Sequence, residues 1–341
     1  MTVKESVLQA LTENKGTYYS GGKLAEILGV SRAAVWKAIR SLREEGYRID
    51  AVTGRGYCLT VDRAPLTEEG IRQALPLRYR NNGICVYDVI DSTNIRARQI
   101  AAGAAEAPKA GPGGGPAPLH GTAVIALQQT AGKGRLGRSF FSPKEGIYLS
   151  IIVRPDFDLS RSVLVTVAAA AAVAEAIDAV CGQQEEAMIK WVNDVYLGGK
   201  KVCGILTEGI TDFESGQIDH LVIGIGINTD LEGFPAELLE VAGAVEGDYS
   251  RAELAAQIIA RVLDYLENID ARKFMDSYRS KSLLTGRQIR VFKGVYRADP
   301  EKDLTGIPAR VLGIDGDGGL EVIYADGSRE TLTTGEVTVR L

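Results

Sequence analysis

The hydrophobic pattern changes period several times along the chain, and each change predicts a different element. Over 21–28 (GGKLAEIL) Leu24, Ile27 and Leu28 fall on one helical face. Gly29-Val30 turns the chain, and Ser31 is placed to cap a second helix, SRAAVWKAIRSLREEG, with Val35, Ile39 and Leu42 as its inward stripe. YRIDAVTGRGYCLT follows as two short strand patterns around Thr53-Gly54-Arg55-Gly56. Helix-turn-helix plus hairpin is a winged helix. VDRAP (61–65) reads as a linker before a short helix, LTEEGIRQAL.

Beyond the linker the pattern alternates between strands and helices. GICVYDV (83–89) is a strand, and Asp91-Ser92-Thr93-Asn94 opens a helix running from Ile95. Residues 103–118, rich in Gly, Ala and Pro, predict an exposed loop with almost nothing to bury. Strands on either side of 129–145, an Ala-rich helix over 163–180, a strand–turn–strand over 187–209 and a buried strand at 220–229 come next. Two amphipathic helices fill 250–281. After them short strands with Gly and Asp-Gly turns predict a small closed barrel.

Composition narrows the class. With 341 residues, 45% apolar and 24% charged, the chain suits two or three soluble domains. Cys58, Cys85, Cys181 and Cys203 form no C-x-x-C pair, and only His120 and His220 could add ligands, so no zinc site is expected. The amino terminus lacks an apolar signal core, and Thr166, Glu175 and Asp178 interrupt the most apolar helix, which predicts a cytoplasmic, non-membrane protein. Net charge is −5, yet residues 1–63 hold ten Lys/Arg against seven Asp/Glu. That +3 segment on an acidic chain suggests a polyanionic partner for it alone. Arg32, Trp36, Arg40 and Arg43 recur on the outer face of the second helix, beside Ser31, Ala33 and Lys37, and Arg55 tips the hairpin. These positions suit a DNA major groove and its phosphates.

The chemistry is concentrated in TAVIALQQTAGKGRLGR (122–138). After Gln129, three glycines (Gly132, Gly134, Gly137) and three cations (Lys133, Arg135, Arg138) occupy seven positions, the composition of an anion cradle. P-loop spacing is absent. Gly132-x-Gly134-x-x-Gly137 matches a dinucleotide fingerprint, but a strand pattern follows where that motif needs a helix. A basic surface turn is the plainer alternative. Further on, Asn193-Asp194 and Lys201 can converge across the 187–209 turn, and Gly224-x-Gly226-x-Asn228 lets a flat ring approach backbone, with Asn228 within reach of a nucleotide.

DSTN (91–94), QTAGKGRLGR, KWVNDV (190–195), KKVCGILTE (200–208) and IGIGIN (223–228), in this order, resemble the biotin protein ligases, and with the winged helix, the bifunctional ligase and biotin-operon repressors. Val192 stands where the family has proline, Lys133 where it has arginine, and Trp36 where a polar residue is usual. The resemblance implies a multidomain α+β chain: a winged helix over 1–62, a mixed α/β ligase domain similar to class II aminoacyl-tRNA synthetases over 63–283, and an SH3-like β-barrel over 284–341. It implies biotin contacts from Ser92, Thr93, Asn94, Gln129, Gly132, Lys133, Gly134, Arg135, Lys201 and Gly204. ATP contacts would come from Arg135, Arg138, Phe140, Asn193 and Asn228, and catalysis from Lys201, Lys133, Arg138 and Asp194. Biotin, ATP and Mg²⁺ would be required. The implied partners are the biotin carboxyl carrier protein of acetyl-CoA carboxylase or a related carboxylase, operator DNA, and a second copy when biotinyl-5′-AMP is bound. A lipoate-type ligase, or a metabolite-sensing regulator with an inactive ligase domain, are the alternatives.

Overall fold

The computed structural model describes residues 2–14, 16–44, 47–61, 66–110, 115, 117–157, 162–182, 185–211, 218–247, 249–292, 306–333 and 336–338. The chain divides into two compact units, residues 1–74 with 247–254, and residues 75–246 with 255–341. The 61–65 linker lies largely outside the described residues.

In the first unit, α1 (Val3–Thr12) starts on a capping box in which Thr2 and Glu5 satisfy each other's backbone N–H groups. α2 (Gly21–Leu28) is capped by Ser20 and ends on Gly29 at φ +63°; α3 (Arg32–Glu44) is capped by Ser31 Oγ, which accepts Ala34 N–H at 3.1 Å. Val35, Ile39 and Leu42 are buried with Val7, Leu11 and Leu24 in one core. Ile27 departs from the expected stripe: it is 56% exposed, and Ala25 takes the inward place beside Leu24. The hairpin β1 (Arg48–Val52) and β2 (Gly56–Val61) pairs antiparallel with Val52 opposite Gly56, so the second strand begins at the glycine. Its turn end is tied to the α2 entry by a reciprocal Tyr19–Tyr57 backbone pair, each bond 2.8 Å. A Cβ at Gly56 would stand 2.1 Å from the Tyr19 carbonyl oxygen, so only glycine fits that junction. The short helix α4 (Glu68–Ala74) closes this stretch of chain.

The second unit holds a seven-stranded mixed sheet, β3 (Ile84–Ile90), β4 (Thr122–Gln129), β5 (Ile147–Val153), β6 (Met188–Lys190), β7 (Asp194–Leu197), β8 (Lys200–Thr211) and β9 (Ile218–Ile227). Their spatial order is β3-β4-β5-β9-β8-β7-β6, parallel only between β3 and β4, which α5 (Thr93–Ala101) connects. α5 packs on β4, β5 and β9; α6 (Ser162–Cys181) packs on β6, β7 and β8, and the run Val167–Ala174 is fully buried. α6 is long and apolar enough to span a membrane, but it is a core helix here. The stretch 187–209 is not one strand and a turn. It breaks after Lys190, where the Trp191–Val192 peptide is cis, and returns as β7, so Lys190 pairs with Asp194 and a further turn at Gly198-Gly199 leads to β8. The Gly/Ala/Pro loop also does more than expected: Ala117 is buried, and Ala105 and Ala107 pack on the core beneath α5.

α7 (Ala236–Leu239), α8 (Arg251–Glu267) and α9 (Met275–Ser280) follow, then an antiparallel sheet of β10 (Gln288–Phe292), β11 (Ile307–Ile314), β12 (Leu320–Tyr324), β13 (Arg329–Leu332) and β14 (Glu336–Thr338). Its order is β13-β12-β11-β10-β14. The β11–β12 turn is fastened to the rest of the unit: Arg272 Nη1 donates to Gly316 O at 2.6 Å, and Trp191 Nε1 to Gly318 O at 2.9 Å.

Candidate active site

One cavity in the second unit gathers residues from every motif region: the α5 start, the β4–β5 loop, the β6–β7 break and the β8 and β9 strands. Ser92, Thr93, Asn94, Gln129, Lys133, Gly134, Arg135, Arg138, Phe140, Asn193, Asp194, Lys201 and Gly204 all line it. Gly132 and Asn228 do not. A Cβ on Gly132 would stand 2.4 Å from Phe140 O, so that glycine serves the fold-back of the loop. Asn228 is buried off the cavity, its N–H donating to Val202 O and its Nδ2 to Gly243 O at 3.1 Å.

The loop keeps its compact shape by its own backbone. Gly134 N–H donates to Arg138 O at 2.8 Å, and Arg135–Gly137 make a single 3₁₀ turn rather than the α-helix a dinucleotide motif requires. Arg135 Nη1 donates to Asn193 Oδ1 at 3.0 Å, which joins the loop to the β6–β7 break. Asn193 also donates to Ile205 O, so both ends of its amide are engaged. Gln129 is used in the same way: Oε1 accepts Thr93 N–H at 2.8 Å, and Nε2 donates to Ser142 Oγ at 3.0 Å.

The floor is a glycine ledge on the β8–β9 ladder, where Gly204 faces Gly226 and Leu206 faces Gly224. Phe140 lies on that ledge, with an added Cβ on Gly226 only 2.5 Å from its ring. Flat groups can therefore approach backbone here and nowhere that carries side chains.

The cations have one counter-charge among the lining residues. Lys133, Arg135, Arg138, Lys190 and Lys201 share the cavity wall with Asp194, whose Oδ1 lies 2.7 Å from Lys201 Nζ. Oδ1 has no bond of hydrogen-bonding geometry, so this is a charge contact rather than a directed bond. Lys190 lies over the Tyr196 ring at 5.9 Å. Burial lowers the Lys190 pKa, Lys201 and Arg138 lower it further, and Asp194 partly opposes them. Burial and Asp194 push Tyr196 up to about 12. Lys190 and Trp191 were not foreseen as site residues; the fold-back at 191–193 that brings Lys190 opposite Asp194 leaves no periodic trace in the sequence.

In the first unit Ser31, Arg32, Ala33, Trp36, Lys37, Arg40 and Arg55 are all exposed. Arg40 lies over the Trp36 ring at 5.8 Å and Arg55 over Tyr18 at 4.3 Å. Arg43 instead turns back to donate to the Ile49 carbonyl, tying α3 to β1.

Residues 116–228 match the Biotin/lipoate A/B protein ligase family, and residues 3–58 match an HTH domain. A bifunctional ligase/repressor BirA of Bacillus spizizenii is 37% identical over 244 residues, covering 71% of this chain and 70% of that one. This chain is a member of the biotin protein ligase family. Within the family, the bifunctional ligase/repressor BirA of Escherichia coli is 29% identical over 344 residues, 98% of this chain and 96% of its own. The biotin protein ligase from Aquifex aeolicus in complex with biotin and ATP superposes with TM-score 0.58 at 25% identity, over 76% of this chain and 98% of that one. The family match spans the loop, the β6–β7 break and the glycine ledge, while the Ser92–Asn94 edge of the cavity lies before it.

Proposed function

We propose that this ligase joins biotin to a lysine of a biotin carboxyl carrier protein in two steps, and that its amino-terminal unit represses biotin genes. The observation that carries the reading is the cavity's charge: five cations against one carboxylate beside a glycine ledge. Such a site neutralises a triphosphate and leaves room for flat rings.

In the first step the biotin carboxylate attacks the α-phosphorus of ATP, the bond to the bridging oxygen breaks, and pyrophosphate leaves. In the second, a carrier lysine amine attacks the acyl carbon of biotinyl-5′-AMP and AMP leaves, the amine's proton passing to solvent. Lys201, Arg138 and Lys133 stabilise negative charge developing on the phosphoryl oxygens, and the 132–138 loop shields the mixed anhydride from water. Ser92 and Thr93 take the ureido end, braced by Asn94, whose amide is engaged at both ends; Gly134 and Gly204 lie beside the ring, and Arg135 and Phe140 take the nucleotide. Gln129 and Asn193, engaged at both ends, act as braces rather than contacts. Among the described residues no cluster of three His, Cys, Asp or Glu side chains could hold a metal, and Asp194 is the one carboxylate on the cavity wall. Mg²⁺ would be held mainly by the nucleotide phosphates and would supply charge neutralisation, with Asp194 the one lining carboxylate able to join it.

The domain reading is a winged helix over 1–62, a ligase domain over 63–283 similar to class II aminoacyl-tRNA synthetases, and an SH3-like barrel over 284–341. A cytosolic setting, a homodimer carrying biotinyl-5′-AMP and an operator with two half-sites complete it. Radiolabelled biotin, ATP and a carrier domain test the enzyme: label on the carrier and stoichiometric AMP are expected, and a chain that labels no carrier rules the ligase out.

A further inference from the structure

Glu208 closes the KKVCGILTE motif on β8, yet it does not line the cavity. One of its oxygens accepts Asn94 Nδ2–H at 2.7 Å, and the other is held by Arg98 Nη1 at 3.4 Å. A carboxylate only accepts, so the nitrogen end of the Asn94 amide must face Glu208 and the oxygen end must face Ser150.

That orientation propagates. Ser150 Oγ, fully buried, lies 2.6 Å from Asn94 Oδ1 and 2.8 Å from Thr93 Oγ1. An amide oxygen has no proton to give, so the Ser150 proton goes to Asn94 and the second contact is made by the Thr93 proton. Gln129 Oε1, which takes the Thr93 backbone N–H at 2.8 Å, has a second lone pair 3.2 Å from Thr93 Oγ1 and shares the Thr93 hydroxyl proton with Ser150. The Thr93 hydroxyl, with its proton committed to the core, then offers lone pairs to the cavity it lines. We propose that Glu208 is a positioning residue: by fixing the Asn94 amide, it sets the direction of the Asn94–Ser150–Thr93 chain and makes Thr93 an acceptor for a ligand N–H.

This rests on the ligase reading and deepens it, because the ureido end of biotin carries two N–H groups. Without an acid acceptor at 208 only the long contact to the Leu206 carbonyl, 3.5 Å, still holds the Asn94 nitrogen, and the amide can turn over, place that nitrogen against Ser150, and reverse the chain. Thr93 would then accept from Ser150, and its own proton, no longer taken by Ser150, would divide between Gln129 Oε1 and a ligand that also donates.

The full-length chain tests this by pyrophosphate release with biotin, ATP and carrier domain. A biotin analogue whose two ureido nitrogens are replaced by oxygens serves as the probe. Because an unmatched buried polar group is costly, Glu208→Leu is expected to raise the KM for biotin about tenfold and leave the KM for ATP unchanged. Its preference for biotin over the carbonate analogue should fall by the same factor. Glu208→Gln, whose amide oxygen can still accept from Asn94, should behave as the wild type. Equal rises in both KM values, an unchanged preference in Glu208→Leu, or a Gln variant as impaired as the Leu variant would overturn the proposal. Should Glu208→Leu not fold, Ser150→Ala cuts the same chain, and an unchanged preference there overturns it equally. A wild-type chain that releases no pyrophosphate with biotin refutes the ligase reading itself, whereas an active wild type with unaffected variants refutes only the role of Glu208.

Discussion

Lys201 stands 2.7 Å from Asp194 without a directed bond to it, so its ammonium protons remain available to oxygens in the cavity. Its side chain is one-third exposed and outside the core, so its loss should be felt in rate rather than folding. Lys201→Ala is expected to slow biotinyl-adenylate synthesis by about 10²–10³ with the melting temperature unchanged. Near wild-type synthesis in a folded variant would remove Lys201 from the chemistry. Lys190 differs because burial has lowered its pKa below the ordinary lysine value. As pH rises through that lowered value, the folded chain gives up the proton while the unfolded chain still holds it. Over that window stability rises with pH, and the cavity meanwhile loses a cation. The KM for ATP should accordingly climb on the alkaline side before an ordinary lysine would titrate, and Lys190→Arg, which keeps its charge, should move that limb to higher pH. Identical pH profiles for the two proteins would show that Lys190 does not face the triphosphate.

At the scale of elements, Lys281 at the end of α9 joins three pieces: it pairs with Asp178 on α6, and with Glu186, just before β6, at 2.9 Å. Burial by itself lowers the Lys281 pKa, but hydrogen bonds to Asp178 and Glu186 outweigh it and the net shift is upward. A raised folded pKa means the clamp contributes fully below the unfolded lysine value and is lost as pH rises through the folded one. Lys281→Met should cost about 1–3 kcal/mol at neutral pH, near the lower end because Asp178 keeps the Ala187 N–H and Glu186 is largely exposed. Urea melts at neutral and strongly alkaline pH check this, and a cost that does not shrink at high pH would argue against the ion pair. The same region shows what the sequence could and could not convey. The helix-turn-helix, the hairpin, the β4–β5 pair and α6 were legible because each has a clear period, a cap or a glycine turn. The β6–β7 fold-back was not, since MIKWVNDVYL reads as one apolar run and three residues without a glycine make the reversal. Ile27 and Asn228 were misplaced for a related reason. Spacing fixes a face to within one neighbour, and only packing decides that Ala25 goes inward or that Asn228 ties to Gly243.

For the whole molecule, the charge distribution bears on how ligand state reaches DNA. The 1–63 segment carries a net charge of only +3, with seven acidic residues against its ten basic ones, on a chain that is −5 overall. Non-specific affinity grows with the number of phosphates neutralised, so one such unit should bind weakly at physiological salt. One α3 with Arg32, Trp36, Lys37 and Arg40 outward reads few base pairs, and specificity then needs two half-sites related by a two-fold axis. The switch we expect is the 132–138 loop. Its ordering depends on a short list of bonds, Gly134 to Arg138 and Arg135 to Asn193, and a bound adenylate would add phosphate contacts that hold it still. An interface that uses an already ordered loop escapes the entropy cost of fixing it. Loaded protein should therefore dimerise and bind an inverted-repeat operator more tightly, and the carrier protein, which consumes the adenylate, should oppose both. Analytical ultracentrifugation and operator gel shifts, with and without biotin plus ATP and then with carrier added, measure each step. A chain that stays monomeric when loaded, or binds the operator equally well in all three conditions, would show that the winged helix is not coupled to the ligase cavity.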